Sequence, residues 1–324
     1  MKGTVVVTDY EFADLELEMG ILNSAGYEMI PAQARTAADL IEVCAPADGV
    51  INQYAQISKE VIAGLDRVKV ISRYGIGVNT IDVNAATKAG IAVANVPDGS
   101  LNEVSEHAAA MILSLARGLG ELGTSVRSGG WDYTAAGDLF RICGRTLGLI
   151  GFGNIPQKLV GKLSGFGLNV IAYDPYADPA VAAACGVHLL SLDEVLTAAH
   201  FVSIHVPLIP ATEHLIGARE LEMMRSDAVL INTSRGPVVD ESALVAALRS
   251  RQIMGAGLDV FESEPLSAQH PLCSLPNVVL SPHTAWYSKD SEVEIRRKAV
   301  ENAIEVLDGR NCSRLVNRVG SGAL

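Results

Sequence analysis

Thr146–Ile150 is a short apolar run that ends on Gly151-Phe152-Gly153-Asn154-Ile155-Pro156. A helical pattern follows, and a second β-like run, Asn169–Tyr173, stops at Asp174. A strand that turns on glycine into a helix and returns as a strand has few packing solutions. The two strands must lie parallel, with the helix crossing one face of their sheet. Runs of the same kind recur at Thr4–Thr8, Gly49–Ile51, Val68–Ser72 and Ile91–Ala94, and again at Phe201–Ile204, Ala228–Asn232, Gly255–Leu258 and Val278–Leu280. Helical patterns alternate with them, including Asp14–Ala25, Ala38–Cys44, Glu241–Arg249 and Ser288–Asp308. This alternation predicts an α/β chain with two doubly wound parallel-sheet domains, Rossmann- or flavodoxin-like. Apolar residues at 49% and aromatics at only 5% suit layers of Ala, Val, Ile and Leu.

Leu101–Arg127 reads as one long helix, apolar on several faces and therefore buried. The helix at Ser288–Asp308 cannot make a domain alone, so it is expected to pack back on the first domain. The predicted division is 1–98 plus 287–324, and 99–286.

The glycine turn carries chemistry as well as topology. Gly151 makes the tight turn, and Gly153 lets the backbone approach a pyrophosphate. The helix N-terminus at Asn154 and Ile155 presents N–H groups and partial positive charge. A carboxylate at Asp174 can accept both hydroxyls of an adenosine ribose and repels a 2′-phosphate, which favours NAD over NADP. Pro156 replaces the third glycine of the usual fingerprint, which puts close helix–strand packing there in question.

Charge and cysteine content narrow the partners. With 37 acidic against 25 basic residues, a net charge of -12 and no basic run, neither nucleic acid nor an anionic membrane is an expected partner. No apolar stretch reaches the ~18 residues of a membrane span. The beginning lacks the architecture of a signal peptide. Five scattered cysteines without CxxC or Cys/His metal spacing predict reduced thiols in the cytoplasm and no metal site.

Three more segments follow predicted strands: Asn232-Thr233-Ser234-Arg235-Gly236, Leu258-Asp259-Val260-Phe261-Glu262-Ser263-Glu264-Pro265 and Ser281-Pro282-His283-Thr284-Ala285-Trp286. All three are expected to open at the carboxyl ends of parallel strands, where such sheets bind ligands. They bring an arginine, a carboxylate and a histidine. Together with Arg73-Tyr74-Gly75-Ile76-Gly77-Val78-Asn79, these segments make the chain resemble the D-2-hydroxyacid dehydrogenases over essentially its full length. Within that family, His283–Ser288 looks most like the C-terminal-binding-protein branch.

The resemblance implies an active site in the cleft between the domains, with 99–286 binding NAD and the discontinuous domain binding substrate. It implies an NAD-dependent oxidoreductase that interconverts a D-2-hydroxy acid and a 2-keto acid by hydride transfer. Arg235, Glu264 and His283 become the catalytic set, and a homodimer built around Leu101–Arg127 is implied. The roles make physical sense. His283 can protonate the developing alkoxide, and Glu264 can hold the other ring nitrogen and favour the imidazolium. Arg235 offers a planar fork to the substrate carboxylate.

Arg73, Gly75, Ile76 and Gly77 are expected to cradle the carboxylate of a small anionic substrate, and Tyr54 is a further candidate there. The acidic residue usual after the second glycine of that loop is absent; Val78-Asn79 stand instead. Trp286 is expected to wall the pocket. Asp259, Thr233 and Ser234 are expected to face the nicotinamide, and Val206, Pro207 and Thr212 to flank the cofactor. Two alternatives stay open: phosphoglycerate dehydrogenase, and an NAD(H)-sensing corepressor-like scaffold.

Overall fold

The computed structural model describes residues 1–319. Two compact units emerge: Met1–Ser100 together with Ser288–Leu324, and Leu101–Tyr287. The last five residues of the predicted segment 287–324 lie outside the described residues.

The first unit holds β1 (Gly3–Val7), β2 (Tyr27–Pro31), β3 (Gly49–Asn52), β4 (Val70–Arg73) and β5 (Ala92–Ala94), all parallel in the order β2-β1-β3-β4-β5. That is the flavodoxin-like order, with its switch point between β1 and β3. Val6, Val50, Ile71 and Val93 point to one face, against Leu40, Val61 and Ala86. The other face takes the helices Glu16–Ala25 and Lys289–Leu307. Ser288 caps the latter by accepting the Ser291 N–H at 2.9 Å. The buried Ser72 hydroxyl donates to the Ala299 carbonyl at 2.8 Å, tying that helix to the sheet. Strand β2 has no counterpart in the sequence reading. It is a sheet edge with mixed polarity, Tyr-Glu-Met-Ile-Pro, and so lacks the continuous apolar run of a central parallel strand.

The second unit holds seven parallel strands: β6 (Thr146–Ile150), β7 (Asn169–Tyr173), β8 (His188–Leu189), β9 (Phe201–Ile204), β10 (Val229–Asn232), β11 (Gly255–Leu258) and β12 (Val278–Leu280). Their order is β12-β11-β10-β9-β6-β7-β8, so the chain reverses direction across the sheet between β6 and β9. Central strands such as β9 and β10 are buried along their whole length, because helices cover both faces.

The predicted long helix at Leu101–Arg127 is two helices, Leu101–Ala116 and Leu119–Arg127. Gly118 breaks it in the left-handed region at φ 58°, where a Cβ would sit 2.4 Å from that of Ala136. Only the first helix is buried. It passes over β11, where the glycines admit it: a Cβ on Gly255 would stand 3.4 Å from Leu115, and one on Gly257 3.0 Å from Met111. Pro156 does not spoil the fingerprint helix. Asn154–Leu163 forms with Pro156 buried in its first turn and packs along Leu101–Ala116.

Candidate active site

The turn after β6 lies at the reversal point of the second sheet, where doubly wound folds bind nucleotides. Gly151 has φ 92°, and a Cβ there would come within 2.7 Å of the His205 carbonyl oxygen. Gly153 is different. Its φ is -84°, and a Cβ would meet nothing within 4 Å. Neither backbone geometry nor packing demands glycine at 153, so the open space above it is the cradle that an approaching pyrophosphate requires. Gly153 is also the N-cap of Asn154–Leu163 and provides no side-chain cap, which leaves the first N–H groups of that helix for a ligand.

Asp174, at the end of β7, accepts the Phe152 N–H at 2.8 Å on one oxygen and the Tyr176 N–H at 2.8 Å on the other. Each oxygen keeps a lone pair for a ribose hydroxyl. Past β9, the Thr212 hydroxyl donates to the Pro207 carbonyl at 2.5 Å and accepts the Ile209 N–H at 2.9 Å, which fastens the loop after half-buried Val206. Thr233 Oγ1 is buried and has no hydrogen-bond partner among the described residues. An orphaned hydroxyl costs free energy unless something meets it. With the Gly153 cradle and the uncapped helix, it makes these residues fit a dinucleotide.

The arginine, carboxylate and histidine segments leave β10, β11 and β12, which are neighbours in the sheet. Asn232 folds the first: its amide donates to the Arg235 carbonyl at 2.9 Å and its oxygen accepts the Ser234 N–H at 3.0 Å. Gly236 then lies so close to Phe261 that a Cβ would overlap its backbone at 1.9 Å, which brings the first two segments together. His283 Nδ1 is 2.7 Å from Glu264 Oε2, and Glu264 Oε1 accepts the Phe261 N–H at 2.9 Å. Burial pushes the Glu264 carboxyl up. The His283 hydrogen bond and charge, the Phe261 N–H and the charge of Arg235 outweigh it and hold the carboxyl below its usual range. His283 has φ 51°, in the left-handed region that side chains other than glycine seldom occupy.

Asp259 is 1% exposed. It accepts the Ser281 hydroxyl at 2.6 Å, the Thr284 N–H at 2.9 Å and the Ala285 N–H at 2.9 Å. His107 Nε2, on the helix Leu101–Ala116, lies 2.8 Å from Ser281 Oγ. Half-buried Trp286 meets Tyr287 edge to face, with ring centroids 5.5 Å apart.

Arg73, Gly75, Ile76, Gly77 and Tyr54 belong to the other unit. Arg73 ends β4, and Gly75 follows at φ 116°. The Asn95 amide donates to the Ile76 carbonyl at 2.6 Å, and Val96 N–H to the Gly75 carbonyl at 2.9 Å. Two residues that sequence reasoning missed support these loops. Asp9 collects the Gln53, Tyr54 and Ala55 N–H groups. Glu18, wholly buried, takes Arg296 at 2.8 and 2.7 Å and the Tyr74 hydroxyl at 3.2 Å. Asp9 was findable in principle, as an acid directly after a strand at the switch point. The Glu18–Arg296 pair spans 278 positions and left no local signal.

Residues 109–285 match the family model for the D-isomer specific 2-hydroxyacid dehydrogenase NAD binding domain. The chain is 36% identical over 315 residues to a D-3-phosphoglycerate dehydrogenase of Methanocaldococcus jannaschii, covering 97% of this chain and 59% of that protein. It is 37% identical over 269 residues to a glyoxylate reductase of Thermococcus litoralis, covering 81% of each. It thus spans little more than half the length of the phosphoglycerate dehydrogenases it matches. Among solved structures, a D-lactate dehydrogenase of Aquifex aeolicus complexed with NAD and lactic acid is 26% identical, with a TM-score of 0.90 over 98% of this chain and 100% of that one.

Proposed function

The chain belongs to the D-isomer specific 2-hydroxyacid dehydrogenase family, and we propose that it interconverts a small D-2-hydroxy acid and its 2-keto acid with NAD. The observation that carries this reading is the 2.7 Å pair of His283 Nδ1 and Glu264 Oε2, with the charge of Arg235 reaching the same carboxylate. Glu264 fixes one ring nitrogen and leaves Nε2 for the substrate oxygen, to which His283 gives a proton in reduction and from which it takes one in oxidation. Arg235 holds the substrate carboxylate and polarises the carbonyl. NAD, when bound, supplies the hydride or takes it up. Gly151, Gly153, Asn154 and Ile155 hold its pyrophosphate in this reading, and Asp174 its ribose. Val206, Pro207 and Thr212 line its path, and Thr233, Ser234 and Asp259 take the nicotinamide end.

The unit Leu101–Tyr287 is on this reading the NAD-binding domain, and the discontinuous unit the substrate domain. Arg73, Gly75, Ile76, Gly77 and Tyr54 are assigned to the substrate carboxylate by the same reading. Trp286 is assigned to substrate selection. A tryptophan at 286 within His283–Ser288 is what supports the C-terminal-binding-protein-like branch. Likeness to the Methanocaldococcus jannaschii protein supports a second reading, phosphoglycerate dehydrogenase.

We infer a homodimer from the apolar surface around the helix Leu119–Arg127, which buries none of its own residues. Leu119, Val126, Trp131 and Tyr133 stand 59, 53, 93 and 87% exposed there, more than a monomer usually leaves to water. A cytoplasmic location accords with five free cysteines. No helix among the described residues is long and apolar enough to cross a membrane.

The test is NADH oxidation with glyoxylate, pyruvate, hydroxypyruvate and 3-phosphohydroxypyruvate. Turnover of at least one is expected, and their ranking separates the two substrate readings. His283→Ala should abolish turnover and keep NADH binding, and Asp174→Ala should relax the preference for NAD over NADP. Turnover of none of the four, or an active His283→Ala enzyme, would overturn the proposal.

A further inference from the structure

Register places His107 over Asp259. In β11 and its extension, Gly255, Gly257 and Asp259 share one face, because side chains alternate along a strand. On the helix above, Leu115, Met111 and His107 share one stripe at intervals of four. Leu115 stands over Gly255 and Met111 over Gly257, so the next pair in the series is His107 and Asp259, and Nε2 lies 3.7 Å from Oδ1.

Ser281 sits between them. Its hydroxyl carries one proton and points it at Asp259 Oδ1, 2.6 Å away, an oxygen that also accepts the Thr284 N–H. Ser281 therefore donates to Asp259, and the 2.8 Å contact to His107 requires a proton on His107 Nε2. The direction is fixed: His107 Nε2–H to Ser281 Oγ, and Ser281 O–H to Asp259 Oδ1.

Asp259 spends what this chain secures on one turn. Its carbonyl accepts the His283 N–H at 2.8 Å, Oδ1 the Thr284 N–H and Oδ2 the Ala285 N–H, both at 2.9 Å. Three consecutive amides end on one residue, at the point where His283 adopts its left-handed backbone. We propose that His107 and Ser281 are positioning residues: through Asp259 they lock the 283–285 turn from behind, while Glu264 fixes the His283 ring from the side. The inference rests on the dehydrogenase reading for its effect on rate, but not for the lock itself.

The experiment compares His107→Leu, which removes the donor, His107→Gln, whose amide N–H stands near the position of Nε2, and Ser281→Ala. Amide-resolved hydrogen exchange is measured on the enzyme without cofactor, and kcat and KM with NADH and the best 2-keto acid. In His107→Leu and Ser281→Ala, exchange at Thr284 and Ala285 should rise at least roughly tenfold, while the amides of β11 and β12 stay as they are. The kcat should fall about 10- to 100-fold, the cost of a slightly misplaced acid, with KM for NADH within about threefold. His107→Gln should restore both exchange and kcat to within about threefold of the parent. Unchanged exchange at 284–285 in His107→Leu overturns the lock. So does a His107→Gln enzyme as impaired as His107→Leu, since packing volume would then explain the effect. Raised exchange with unchanged kcat overturns the positioning role. An inactive parent enzyme sinks the dehydrogenase reading alone, because exchange still decides the lock.

Discussion

Desolvation holds the imidazole of half-buried His205 neutral. It lies just past β9, its Nε2 is 2.9 Å from Ser203 Oγ, and desolvation pushes its pKa down from 6.5 to about 3. The unfolded chain takes up a proton near 6.5 that the folded chain refuses. The stability tied to His205 is therefore complete above that value and drains as pH falls toward about 3. From about pH 7.5 to about pH 5.5, the protonated fraction of the unfolded histidine rises from about 0.1 to about 0.9, which integrates to about 1.4 kcal/mol of linkage. That figure needs only that folded His205 stays neutral at about pH 5.5, so the surface the residue retains does not alter it. The window also stays clear of the isoelectric point near 5.0. Both tryptophans, Trp131 and Trp286, lie in the unit Leu101–Tyr287, so their fluorescence follows that unit alone during urea unfolding. His205→Gln keeps a polar group for Ser203 and cannot titrate. The parent should lose about 1.4 kcal/mol more than the variant between the two pH values. Parallel losses would refute the claim that His205 is held neutral.

The two fingerprint glycines should fail in opposite ways. Gly151→Ala meets a carbonyl at 2.7 Å with φ at 92° and should cost on the order of 2 kcal/mol or more in a thermal melt. Gly153→Ala should leave stability within about 0.5 kcal/mol but weaken NADH binding, followed by its fluorescence, roughly tenfold. In the other unit, Glu18→Gln breaks a buried ion pair and should cost about 3–5 kcal/mol, read by circular dichroism in urea, while Glu18→Leu with Arg296→Met should recover most of it. Glu264 is held ionised below the ordinary carboxylate range, so its pairing with His283 is lost only as pH falls through that depressed value. The pH profile of kcat/KM for reduction should show no fall between about pH 7.5 and 5.5 that Glu264→Gln abolishes.

Central strands were legible because their neighbours dictate them. Thr146–Ile150, buried from Leu147 on, and the partly buried Asn169–Tyr173 are β-branched and aliphatic runs bounded by glycine and aspartate, and they form over those very residues. Two of the four edge strands were not, although Ala92–Ala94 and Val278–Leu280 were: His188–Leu189 is two residues long, and Tyr27–Pro31 carries a glutamate. The break at Gly118 went unread because glycine inside a helical pattern is often tolerated, and its left-handed φ answers to Ala136, eighteen positions on. The glycine turn, Asp174 and the arginine, glutamate and histidine segments announced themselves through strand-end position. His107 did not. In the sequence it is one of several polar residues on a largely apolar helix, and only the pairing of that helix with β11 brings it to Ser281, 174 positions away.

The return of the helix Lys289–Leu307 to the first unit bears on how the protein is made. A ribosome releases β1–β5 long before that helix, with all of Leu101–Tyr287 in between. At ordinary elongation rates the delay is on the order of ten seconds or more. Throughout it, the face of β3 and β4 that will receive that helix stays open, and the hydroxyl of Ser72 waits for the Ala299 carbonyl. The inserted unit is contiguous and can finish first. The half begun earliest is thus completed last, and its apolar face is the one left open longest during synthesis. Split at Ser100, the first half would need the final helix supplied in trans.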